Sequence, residues 1–118
     1  MMTPPPQNIS REELFQRLQR EITYLTDSNL AWWTDHRVPP FAARHWDISH
    51  FVVAVAGEDV VFFADDEEEF GIAKWARSSQ VMTECGLVGD LTDAVQVMQR
   101  FAVEPGRLPA TEPAYSVY

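Results

Sequence analysis

An α+β fold with a mainly antiparallel sheet of three to four strands follows from three features of the chain. Two runs rich in β-branched and aromatic residues, Phe51–Ala56 and Val60–Ala64, flank the polar turn Gly57-Glu58-Asp59, which is the pattern of a β-hairpin. Apolar residues at helical spacing recur over 10–25 before this hairpin and over 91–102 after it. Neither hairpin run alternates cleanly with polar residues, so both of its faces need covering. Fully burying one Val or Phe contributes roughly 1.5–3 kcal/mol, which puts the 51–64 segment at the centre of the core.

Length and composition bound the rest. The 118 residues suit one domain with one hydrophobic core, and 46% hydrophobic with 23% charged residues is ordinary for a globular chain. The longest apolar run, Phe51–Ala56, falls far short of the roughly 20 residues of a membrane helix. Met-Met-Thr-Pro-Pro-Pro at the N-terminus has no basic patch leading into an apolar stretch, so no secretory signal is expected. The single cysteine, Cys85, cannot close an internal disulfide, which fits a reducing cytoplasm. Arginine supplies eight of the nine basic residues, a bias associated with GC-rich bacterial genomes.

Residues 1–8 read as a flexible Pro-rich leader, 9–104 as the folded domain and 105–118 as an extended tail. Ser10-Arg11-Glu12-Glu13 is a capping box, with Ile9 and Leu14 at the staple positions around it. Leu14, Phe15, Leu18, Ile22 and Leu25 then form the apolar stripe of a helix. The segment Leu30–Arg37 reads either as a short helix capped by Ser28 or as irregular chain, stopped by Pro39-Pro40. Residues 41–49 have no clear period and read as a strand or connector leading into the hairpin.

Two readings compete after the hairpin. A helix over 66–77 would place Glu67–Glu69 in its first turn and Lys74 and Arg77 near its end, as the helix dipole favours, and would give a ferredoxin-like topology. Strands over 70–76 and 80–85 are preferred. Gly71 costs a helix about 1 kcal/mol relative to alanine, and Phe70, Ile72 and Lys74 alternate against Gly71, Ala73 and Trp75. Residues 84–89 read as a glycine-punctuated connector to a helix capped by Asp90, whose stripe is Leu91, Ala94, Val95, Met98 and Phe101.

The formal charge of −9 is unevenly placed. Glu58, Asp59, Asp65, Asp66, Glu67, Glu68 and Glu69 fall in one window with no base, whereas the other eleven acids face nine bases and leave only −2. Such a field repels nucleic-acid phosphate and anionic lipid and attracts cationic partners. The acidic run lacks the alternating Asp-x-Asp-x-Asp-Gly loop that wraps calcium. His36, His45 and His50 match no metal-ligand spacing, so packing or surface hydrogen bonding is their expected use, and neither metal nor cofactor is expected. Thr83-Glu84-Cys85-Gly86 matches no thiol-enzyme signature, and Glu84 would raise the pKa of Cys85. No serine elbow or phosphate-binding glycine loop is present, so no catalytic residue is assigned. The adjacent pair Trp32-Trp33 is awkward to bury together, and one exposed indole beside an acidic rim would suit a protein interface.

The expected function is therefore a non-catalytic acidic protein that binds a basic protein partner, for example an immunity-type inhibitor of a bacterial toxin, through the seven acids with Trp32 and Trp33. Two alternatives stand beside it: an enzyme or ligand binder using Cys85 or the histidines, and a subunit whose two-faced hairpin is completed by a second copy.

Overall fold

A computed structural model describes residues 9–45, 48–64, 67–76, 78 and 81–103, the last three of these by backbone alone. Element order is α1 (Arg11–Ile22), α2 (Asp27–His36), β1 (Arg37–His45), β2 (Ile48–Ala56), β3 (Asp59–Ala64), β4 (Glu69–Ala76), β5 (Val81–Gly89) and α3 (Leu91–Val103). The α+β expectation holds, with five strands in place of three to four. Neighbouring strands pair antiparallel in sequence order, and the sheet curls into a barrel that closes where β1 meets β5 in parallel at Arg44 and Val81.

Both faces of the sheet are apolar, and each is covered differently. Val53, Val61, Phe63, Phe70 and Ile72 pack outward against Leu14, Leu18, Trp32, Trp33, Leu91, Val95 and Met98 of the helices. Val52, Val60, Phe62, Ala64, Ala73, Met82 and Cys85 point inward and cover one another. A bulge in β2, where Val52 pairs with Phe62 but Ala54 with Val61, lets Val53 and Ala54 both join the helical side. Gly57 takes φ +65° at the first central position of the β2–β3 turn, as a type II′ hairpin requires.

The helix boundaries follow local chemistry. Ser10 Oγ accepts from the Glu13 amide at 3.1 Å while Glu13 Oε1 accepts from the Ser10 amide at 3.2 Å, completing the capping box. Asp90 and Asp93 exchange the same pair of bonds at the start of α3, and Glu21 of α1 accepts from the Leu91 amide. Asp93 titrates above the usual carboxylate range, first through burial and then through the charge of Asp90. α2 differs from expectation: its N-cap is Thr26, which makes no side-chain capping bond, rather than Ser28.

The 66–77 helix does not form; Glu69–Ala76 is a strand in register with β3 from Phe63↔Phe70 to Asp59↔Lys74. The connector expected over 84–89 is the second half of β5. The 1–8 leader and the 105–118 tail lie outside the described residues.

Gly71 is the closest crossing in the barrel. A Cβ there would stand 2.6 Å from the Gly86 carbonyl oxygen and 2.6 Å from Phe62 Cζ. Gly71→Ala is therefore expected to lower the urea-unfolding free energy by about 1–3 kcal/mol through overpacking. A change within about 0.5 kcal/mol would contradict this packing.

Candidate functional site

The fold divides the acidic window. Glu58 and Asp59 stand at the β2–β3 turn, whereas Glu67, Glu68 and Glu69 stand at the β3–β4 turn, at the far end of β3. Five residue steps at ~3.4 Å separate the two groups by about 17 Å, roughly twice the screening length at physiological salt. The Asp59 carboxylate also lies 3.1 Å from Lys74 Nζ. The single negative patch expected from the sequence is therefore two patches, and the one at Glu58 and Asp59 is partly neutralised. Asp65 and Asp66 lie outside the described residues.

At the other turn, the Arg17 guanidinium donates to the Glu68 carbonyl at 3.1 Å and pairs with Glu21 at 3.0 Å, leaving the Glu67 and Glu68 side chains exposed. Glu68 adopts φ +56° there.

Trp32 and Trp33 are both buried, at 8% and 4% exposure, so the expected exposed indole is absent. Adjacent helical positions point about 100° apart, and α2 is packed by α3 on one side and β2 on another, so each indole finds its own cover. Trp32 stacks on His36 with ring centroids 4.3 Å apart, and His36 Nδ1 donates to the Trp32 carbonyl at 2.8 Å. His36 is thereby used within α2.

The other two histidines converge with Cys85. A cavity of about 340 Å³ opens at the end of the barrel where the acidic β3–β4 turn lies. His45, Ile48 and His50 of the β1–β2 hairpin form one wall, and Cys85, Gly86 and Leu87 of β5 form the other. Phe62 and Ala64 line it from β3, and Glu67 brings the acidic turn to its rim. His50 lies over Phe62 with centroids 5.2 Å apart. Among the described residues, no group of three His, Cys, Asp or Glu side chains stands close enough to hold a metal ion.

A bulge explains why Cys85 reaches this cavity. Lys74 pairs with Thr83 and Ile72 with Gly86, so Glu84 and Cys85 together oppose Ala73. Glu84 takes φ +52° and turns outward, while Cys85 turns in. Alternation alone does not reveal this pocket, because the bulge shifts its period within β5.

No protein-family model, no curated protein and no solved structure matches this chain. Among the described residues no helix is long and apolar enough to cross a membrane.

Burial pushes the Cys85 thiol from its ordinary 9.0 to about 12. At neutral pH the sulfur is a protonated, weakly polar lining atom rather than a thiolate nucleophile. Unfolding releases the group to its ordinary value, so the unfolded chain loses this proton first as pH rises. Stability is expected to fall as pH rises from about 9 toward 12, and Cys85→Ala should remove that component of the slope. Thiol alkylation at pH 8 should be much slower in the folded protein than in urea; equal rates would contradict the burial.

Proposed function

We infer that the chain is a non-catalytic binding protein for a basic protein partner, docked at the β3–β4 turn beside the barrel-end cavity. One observation carries this reading: Glu67 belongs both to the acidic turn and to the rim of an apolar cavity. A cationic side chain can be held by the carboxylates while an adjacent apolar one leaves water for the cavity. Charge at the rim accelerates and orients encounter, and burial of the apolar group supplies affinity. The protonated thiol of Cys85 supports a lining role over a nucleophilic one. Glu58 and Asp59, about 17 Å away along β3, are peripheral to this surface.

Immobilised full-length protein is expected to retain a basic protein from its own cell lysate at low salt and to release it by about 0.5 M salt, as screened charges require. The combined Glu67→Lys, Glu68→Lys and Glu69→Lys variant should lose that capture, and Glu58→Lys should keep it. Equal capture by all three proteins, or capture indifferent to salt, would overturn the assignment.

A further inference from the structure

The strand lengths around the barrel seam do not match. β1 and β5 run parallel and pair at Arg44 and Val81. β1 has one residue left beyond Arg44, whereas β5 continues from Met82 to Gly89. Past Met82, β5 therefore has β4 on one side and no strand on the other among the described residues. An unpaired strand edge leaves backbone N–H and C=O groups directed outward, ready to pair with another chain.

The seam's other free edge is treated differently. Among the described residues β1 before Arg44 also has no β5 neighbour, but it carries Pro39 and Pro40, and Arg11 donates to the Pro40 carbonyl at 2.7 Å. Proline removes donors and helix α1 occupies an acceptor, so that edge is blunted. β5 has no proline. Its stretch Cys85–Leu87, which begins in the bulge at Glu84 and Cys85 and continues through the regular pairs at Gly86 and Leu87, lines the cavity directly.

We propose that an extended segment of the basic partner adds as a strand to β5 at Cys85–Leu87, places an apolar side chain in the 340 Å³ cavity and sets a flanking lysine or arginine against Glu67. The inference rests on the docking function given above and specifies its mode. Charge selects this occupant: Glu67 is at the cavity rim, Glu68 follows it in the same turn, and Glu84 is exposed on β5 itself. Main-chain pairing supplies affinity and the cavity supplies side-chain selection, the division of labour in strand addition.

The probe is a fluorescein-labelled octapeptide of alternating lysine and valine, titrated into full-length protein by anisotropy and by amide NMR. Controls are a lysine–glycine octapeptide and two versions of the parent, N-methylated at every valine or at every lysine. In a strand all valine amides face one edge and all lysine amides the other, so only one set can pair with β5. Expected are binding of the parent, shifts at Cys85, Gly86 and Leu87, and at least about tenfold weaker binding of the glycine peptide and of one N-methylated version but not the other. If glycine and both N-methylated peptides bind as tightly as the parent, docking survives and strand addition is overturned. If no cationic peptide binds, both are overturned. A dimer in sedimentation whose interface shifts fall on Cys85–Leu87 would assign the edge to a second copy and overturn the proposal.

Discussion

A sheet that is apolar on both faces cannot stand in water, and most of this structure is the consequence. Val53, Val61, Phe63 and Phe70 on one side and Val52, Val60 and Phe62 on the other are all nearly fully buried. Three helices cover the first set. Among the described residues no helix lies over the second, and the sheet curls until its inner side chains cover each other. The hydrophobic contribution of these residues is of the order that decides whether a domain of this size folds.

Curling has a geometric cost, and the site lies where that cost falls. Five strands make a tight barrel, which is why Gly71 crosses so near Gly86 and Phe62 and why β5 carries bulges. Among the described residues β1 runs to His45 while β5 runs on to Gly89, so the two strands meet at one end of the seam and part at the other. The gap is lined by the inner, apolar face of the sheet, and the β3–β4 turn hangs its carboxylates at the rim. An apolar recess, an open backbone edge and negative charge thus arise together from strand lengths and turn placement.

Much of this was legible in the residues. The hairpin, the Ser10 and Asp90 caps, the strand over Phe70–Ala76 and the need to cover two faces all follow from local chemistry. β1 was harder to see because Val38-Pro39-Pro40 has no period and prolines mark edges rather than strand centres. The second half of β5 reads as a loop because Gly86 and Gly89 are turn residues by habit; here Gly86 pairs with Ile72 beside Gly71, whose neighbourhood excludes a Cβ. The acidic window misleads for a different reason. Charges adjacent in sequence are separated when a strand lies between them, and β3 carries Glu58 and Asp59 away from Glu67. The gathering of His45, His50 and Cys85 is a tertiary fact, set by closure and by one bulge, and no spacing rule encodes it. Trp32 and Trp33 show the converse, since neighbours on a helix can both be buried when the helix is packed on two sides.

Strand addition requires that the edge of β5 beyond Met82 be unpaired, and backbone amide hydrogen exchange in the free protein tests that most directly. Amides of Thr83–Leu87 that bond to β4 should exchange slowly, while those aimed away from β4 should exchange close to the rate of an unstructured chain. Uniform protection across the whole of that stretch would mean that the edge is already paired, and would contradict strand addition.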